Sequence, residues 1–396
     1  MKTIYNFGWL LTCMILLASC KPQEKEVDSS SATNIDLLLK ARYEKLLRYP
    51  IESAAFPRSY NPDTKQILQR PSKDWTSGFY AGNLWMLSDV TGESRFRESA
   101  QKWTAFIEKE KYNDGTHDMG FKVYNSFGLG YNRTKNEEYK SILLKSAQTL
   151  ATRFNPNVQS IRSWDFRRDQ WEFPVIIDNM MNLELLFEAT RLSGDSTFHK
   201  LAVTHANTTL KNHFRKDDST VHVVVYDTIS GEVKDRVTHQ GYSDDSAWAR
   251  GQGWAIYGYT MAYRYTNDKR YLEQAEATAN FFINHKNMRE DGIPYWDFDA
   301  PNIPNEPRDV SAAAIVASAL VELYGYTKDE QYINYSKQVL NSLKSEEYIL
   351  PADLDIPFIL AHSSGDWSKR SEMDEPIIYG DYYFLELMLR LEEFNQ

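Results

Sequence analysis

A six-residue pattern that recurs five times constrains this chain more than any other feature. It reads Thr91-GESR-Phe96, Thr134-KNEE-Tyr139, Ser193-GDST-Phe198, Thr266-NDKR-Tyr271 and Thr327-KDEQ-Tyr332. Each copy is Ser or Thr, any residue, an acid or Asn, two more residues, then an aromatic. Such a stretch stops one helix and starts another, with the hydroxyl expected to cap the second. The aromatic then anchors that second helix in the core. Apolar segments of helical period flank the turns, as in NLELLFEATRL before Ser193 and KLAVTHANTTLKNHF after it. These are helical hairpins. A sixth comes from Ile377 to Phe394 paired with a first helix over Asp36 to Arg48. Six hairpins in a ring make an all-α, (α/α)6 barrel. An open solenoid is the alternative, and it leaves the first and last elements without partners. One insertion departs from helix: Thr220-VHVVVYD-Thr228 alternates like a strand, Ser230-Gly231 turns it, and a small β-hairpin near 220–237 follows.

The turns also set a register. Asp74, Asp118, Asp178, Arg250 and Asp309 each stand 15–18 residues before the Ser or Thr of their turn. At helical rise that is roughly 22–27 Å, so all five fall on the rim opposite the turns. Asp is also a favoured helix cap, and for Asp74 and Asp309 that reading stands beside the functional one. Asp178 lies in VIIDNMMN, between an aliphatic run and two methionines. Those neighbours should disfavour its charged form and raise its pKa, as a general acid requires. Asp118 lies in THDMGF, where His117 and Gly120 make more polar surroundings. Two carboxylates in unlike environments suit acid/base work on a sugar.

A second cluster ends the insertion, in Thr238-HQGYSDDSAWARGQGWAIYGY-Tyr259. Trp248, Arg250, Gln252 and Trp254 alternate just before a helix. Arg250 offers a planar fork for a carboxylate, and the tryptophans offer faces for sugar rings, or simply barrel packing. His222 and Gln240 add uncharged donors, and Trp75 beside Asp74 is a further substrate-binding candidate. The chain is 14% aromatic, which suits sugar clefts and core filling alike. A net charge of -10 argues against nucleic acid as partner. An anionic substrate would have to be attracted by a few local cations.

The amino terminus, MKTIYNFGWLLTCMILLASC, has a positive start and an apolar run from Gly8 to Leu17, too short to span a bilayer. Residues 1–20 read as a secretory signal. Its end, Leu17-Ala18-Ser19-Cys20, resembles a bacterial lipobox, in which Cys20 becomes the lipidated terminus. Plain secretion is the alternative. The expectation is a tether over 21–34, one domain over 35–396, membrane contact only through Cys20, and a periplasmic protein anchored to the outer membrane. The two cysteines are Cys13 and Cys20, so the mature chain would carry no disulfide.

With HDMGF around Asp118, DNMMN around Asp178, HVVVYD with His222, and HQGY…SAWARGQGW from His239 to Trp254, the chain resembles the unsaturated glucuronyl hydrolases, glycoside hydrolase family 88. The likeness runs in matching order through residues 35–396. Unsaturated rhamnogalacturonyl hydrolases share the fold and the second aspartate, and are the nearest alternative. The resemblance implies an enzyme that removes the 4,5-unsaturated uronic acid left by polysaccharide lyases on glycosaminoglycan oligosaccharides. It makes Asp178 the general acid and base, with Asp118 orienting the ring. It places His222, Gln240, Trp248, Arg250 and Trp254 in the pocket, with Arg250 a candidate for the uronate carboxylate. No metal or organic cofactor is implied, and the sequence has no HExxH, paired CxxC or phosphate-binding loop. Some family members bind a substrate sulfate with Ser-x-x-Ser-x-Lys near the carboxyl end. Here His362-SSGDWS-Lys369 departs from that spacing, so Ser364, Ser368 and Lys369 either border the pocket or form an ordinary loop. Two other readings compete: an inverting glycosidase of saturated chains using Asp118 as base and Asp178 as acid, and an anchored glycan-binding protein without turnover.

Overall fold

The computed structural model of the protein describes residue 1 and residues 29–395, residue 54 excepted. The signal, Cys20 and most of the tether lie outside the described residues. The first helix spans Ser29–Arg48, so the last six positions of the segment read as tether already belong to it.

Six inner elements form a closed ring. In chain order they are Ser77–Thr91, Gly120–Gly128 continued by Leu129–Thr134, Asn179–Asn182 continued by Glu184–Ser193, Ala249–Thr266, Val310–Thr327 and Ile378–Asn395. Each packs on the next, and the last returns to the first. Six outer helices cover them: Ser29–Arg48, Ser94–Ala105, Glu137–Ala151, Ser196–Asn212, Lys269–Ile283 and Glu330–Leu343. This is an (α/α)6 barrel. The first helix closes the ring where the chain ends, with the Tyr43 hydroxyl 3.9 Å from Met388 Sδ. The buried Arg42 donates to the carbonyls of Pro351, Leu354, Ile356 and Phe358.

The inner helices Ser77–Thr91 and Val310–Thr327 are buried along most of their length on every side because both faces are covered. Val310–Thr327 is long and apolar enough to cross a membrane by composition, yet it is a barrel stave buried through Val321.

The repeated turn works by a division of labour that differs from the expected one. The Ser or Thr hydroxyl donates back to the carbonyl four residues earlier and accepts from the N–H two residues on, as Thr266 does with Ala262 and Asp268. The residue between is left-handed: Gly92, Lys135, Gly194, Asn267 and Lys328 all have positive φ. The third residue caps the next helix. Asn136, Asp195, Asp268 and Asp329 each accept from the N–H two residues on, whereas Glu93 makes no such bond. A hydroxyl at the last helical turn is too far back to reach the new helix. Each such cap contributes about 1 kcal/mol. The aromatics Phe96, Phe198, Tyr271 and Tyr332 are buried as anticipated, and Tyr139 partly so.

The insertion strands are Val223–Tyr226 and Val233–Val237. They belong to a three-stranded antiparallel sheet whose other strand, Phe173–Ile176, leads into Asp178. Two further hairpins, Phe56–Asn61 with Gln66–Arg70 and Ser363–Asp366 with Ser371–Glu375, flank the same end of the barrel.

Candidate active site

Strand pairing places Asp178. Ile176 is registered with Val223, and the Ile177 N–H donates to the His222 carbonyl at 3.0 Å. The chain then turns into Asn179–Asn182. Asp178 stands at the N-cap position but makes no cap hydrogen bond, so the capping explanation fails for it. Its Oδ2 has no hydrogen-bond partner among the described residues. Asp118 precedes the inner element Gly120–Gly128, which is wound as a π-helix, a form concentrated at functional sites. One Asp118 oxygen accepts from the Thr116 hydroxyl at 2.6 Å, and the other is 3.2 Å from His117 Nε2.

The glycine of THDMGF has a specific task. A Cβ at Gly120 would lie 2.7 Å from Asn182 Cα, so only glycine lets the two acid-bearing segments touch. The Phe121 N–H donates to Asn182 Oδ1 at 2.9 Å and locks that contact.

Both acids face one cavity of about 630 Å³ at the rim opposite the turns. That volume suits a small ligand. Burial pushes the Asp178 carboxyl up to about 7; nearby Arg250 and the Trp254 indole N–H oppose the rise, and Asp118 adds to it. His222 Nε2 is 3.7 Å from Asp178 Oδ2. Its Nδ1 accepts from the N–H groups of His239 and Gln240, both at 3.1 Å, which leaves the ring proton on Nε2. Burial holds His222 well below its ordinary pKa, so it faces Asp178 as a neutral donor.

The anticipated residues divide into three groups. Asp118, Asp178, Trp75, Gln240, Arg250 and Lys369 line the cavity together. Immediately behind stand His222, Trp248 and Trp254. Trp248 packs on His222 at 4.6 Å and on the Arg250 guanidinium at 4.7 Å, while Trp254 packs on Phe121 at 5.2 Å. These tryptophans support the site and present no face to it.

Gln252 and Ser364 are structural, and Ser368 lies off the cavity. Gln252 is fully buried, accepts from the Thr220 N–H and donates to the carbonyls of Thr220 and Trp248. Ser364 donates to the Arg308 carbonyl, and Ser368 to Asp366. Arg250 also differs from expectation, because its fork is largely spent. One nitrogen donates to Asp309 at 2.8 Å and to the Ser364 carbonyl, and another to the Gly365 carbonyl at 2.6 Å. It brings charge to the cavity and ties the Ser363–Asp366 strand to the barrel. Asp309 is a cap after all, accepting from the Ser311 and Ala312 N–H groups. Asp74 lines the cavity, accepts from the Thr76 N–H and pairs with Arg58 at 3.2 Å.

Sequence reasoning missed Arg58, Arg70, Lys73, Trp164, Phe166, His239 and Asp366, all of which line the cavity. Arg58 and Arg70 sit on the hairpin whose turn reads Asn61-Pro62-Asp63-Thr64, a signal present in the sequence. Trp164 and Phe166, stacked at 4.7 Å, alternate in a loop ahead of the Asp178 strand.

The glycosyl hydrolase family 88 profile matches residues 53–285. An unsaturated glucuronyl hydrolase of Formosa agariphila is 58% identical over 394 residues, covering 98% of each chain. An unsaturated chondroitin disaccharide hydrolase of Streptococcus pneumoniae is 30% identical, covering 80% of this chain and 81% of that one. Among solved structures, an unsaturated glucuronyl hydrolase specific for heparin superposes with a TM-score of 0.87 at 43% identity, over 92% of this chain and 97% of the other.

Proposed function

The chain belongs to glycosyl hydrolase family 88, and from that premise we propose that it removes a 4,5-unsaturated uronic acid from the non-reducing end of lyase-generated glycosaminoglycan oligosaccharides. The relatives named above act on, or are named for, such unsaturated substrates. The observation that carries the mechanism is a buried aspartate with an unpaired oxygen, raised to about 7, on the wall of a sugar-sized cavity shared with a second aspartate.

Asp178 in its protonated form gives its proton to C4 of the vinyl ether, and positive charge develops at C5 and the ring oxygen. Water adds at C5 and returns a proton to the Asp178 carboxylate, so the residue ends as it began. The hydrated product is a hemiketal. It opens and releases the next sugar. Protonating carbon is slow, so aim matters as much as acidity. Asp118 orients the ring, and the neutral His222 ring stands 3.7 Å from Asp178. Trp75 stands on the cavity wall, with the Arg58 guanidinium 5.7 Å over its ring.

The test is loss of ultraviolet absorbance from unsaturated disaccharides. Asp178→Asn should lower kcat/KM by roughly 10²–10⁴-fold, the range for a general acid. Near wild-type turnover in that variant removes Asp178 from the mechanism.

We also propose export and anchoring through Cys20, on the strength of the Leu17-Ala18-Ser19-Cys20 sequence alone. Cys20→Ser should release the protein from the membrane fraction. Unchanged fractionation would count against the anchor.

A further inference from the structure

Arg250 is a buried cation on the wall of the cavity that holds Asp178. Its bonds to Asp309 and to the Ser364 and Gly365 carbonyls are all made by the two terminal nitrogens. Bonds at that end leave the guanidinium plane free to swing about it. Two rings bear on the plane: its carbon lies 4.7 Å from the centre of the Trp248 ring and 5.2 Å from that of Tyr379. Trp248 is the N-cap residue of Arg250's own helix and moves with it. Tyr379 comes from another stave, in the first turn of Ile378–Asn395. Tyr379 is itself held fast. It is fully buried, and its ring packs on Trp75 at 5.0 Å and on Phe79 at 5.9 Å. The chain just before it is pinned to the first hairpin, where the Tyr60 N–H donates to the Pro376 carbonyl at 3.1 Å and Ser59 bridges Ile377. The Tyr379 hydroxyl has no hydrogen-bond partner among the described residues, so what the residue offers Arg250 is its ring. Arg250 in turn is the cation that acts on Asp178; the other titratable groups there are Asp118, ahead of Gly120–Gly128, and His222, from the strand side at 3.7 Å. Besides Asp178, the groups acting on Arg250 are Asp309 and the Tyr379 phenol.

We propose that Tyr379 is a positioning residue for the proton transfer: its ring fixes where the Arg250 guanidinium stands relative to the Asp178 carboxyl. A cation that stays in place favours the carboxylate that forms as the proton leaves for carbon. A cation free to swing away leaves the acid holding its proton too tightly. The inference rests on the hydrolase reading above.

The experiment measures kcat/KM for an unsaturated disaccharide from about pH 5 to about pH 9, where the alkaline limb reports loss of the Asp178 proton in the free enzyme. Tyr379→Met fills much of the space without a ring, and Tyr379→Leu is a second ringless variant. Tyr379→Phe keeps the ring and drops the hydroxyl. In the ringless variants the limb should move up by about half a pH unit, an about threefold tighter hold on the proton, as expected when a guanidinium retreats by roughly 2 Å at an effective dielectric of about 20. Tyr379→Phe should keep the wild-type limb. Lost packing alone would lower kcat/KM at every pH and leave the limb where it is. A limb that stays in place in the folded ringless variants, or one that Tyr379→Phe moves as far as they do, overturns the proposal. If wild type turns over no unsaturated disaccharide at all, the hydrolase reading fails and takes this inference with it. A wild-type limb at about 7 that does not respond to loss of the ring defeats the inference alone.

Discussion

Gly120→Ala tests how the two acids are spaced. An added Cβ would sit 2.7 Å from Asn182 Cα, 2.9 Å from its Oδ1 and 3.2 Å from its carbonyl oxygen. Carbon–carbon contacts settle near 3.5–4.0 Å, so the shortfall is about 1 Å. The main obstacle is backbone and cannot rotate away, so the segments carrying Asp118 and Asp178 must part by about that distance. The Phe121 N–H bond to Asn182, 2.9 Å long, lengthens with them. Overpacking of this kind costs about 1–3 kcal/mol. A 1 Å displacement of a catalytic group costs on the order of 100-fold in rate. We expect a folded protein of lower melting temperature whose kcat falls about 100-fold, read from the loss of vinyl ether absorbance. Gly325→Ala is the control, since nothing lies within 4 Å of a Cβ there. It should be neutral or stabilise slightly. A Gly120→Ala enzyme with wild-type kcat and melting temperature would refute the claim that this contact sets the acid spacing.

Three other outcomes are expected. The Asp178 carboxyl is raised from 3.8 to about 7, so the folded state holds its proton more tightly than the unfolded chain does. Stability contributed by that proton is full below pH 4, falls between pH 4 and 7, and is gone above 7. Asp178→Asn should therefore gain up to about 4 kcal/mol over wild type at pH 8 and almost nothing at pH 4, measured by urea unfolding. An equal difference at both values would contradict the burial argument. Arg250→Met strips the buried Asp309 of its partner and should cost about 3–5 kcal/mol. It should also speed hydrogen exchange across Ser363–Glu375, and unchanged exchange there would deny Arg250 its anchoring role. Asp268→Ala removes the acceptor for the Arg270 N–H at the far end of the barrel. It should cost about 1 kcal/mol and leave kcat intact, whereas a fall in kcat without a stability loss would break the separation of turns from rim.

The barrel was legible because its signal is local. Each turn packs a stop, a left-handed residue and an N-cap position into three consecutive residues, and the five copies agree except that Glu93 makes no capping bond. The rim acids followed from the same register. Side-chain commitments made across the fold were not legible. Arg250 looked like a free fork, but Asp309 lies 59 residues away and the two carbonyls more than a hundred. Gln252 looked like a pocket donor, but Thr220 claims it from 32 residues away. The basic lip was missed because Arg58 and Arg70 reach the cavity only through a hairpin that sits ahead of the first repeated turn. Trp248 and Trp254 were placed in the right neighbourhood, one layer too far forward. Apolar periodicity identifies a buried ring and does not say which side of it meets substrate.

The account depends most on a protonated Asp178 near neutral pH. Infrared or carbon-detected NMR titration of that single carboxyl, assigned by comparison with Asp178→Asn, measures it directly. A midpoint at about 7 is the expected result. A midpoint in the ordinary carboxylate range, near 4, would leave no proton to give to C4 and would contradict the mechanism.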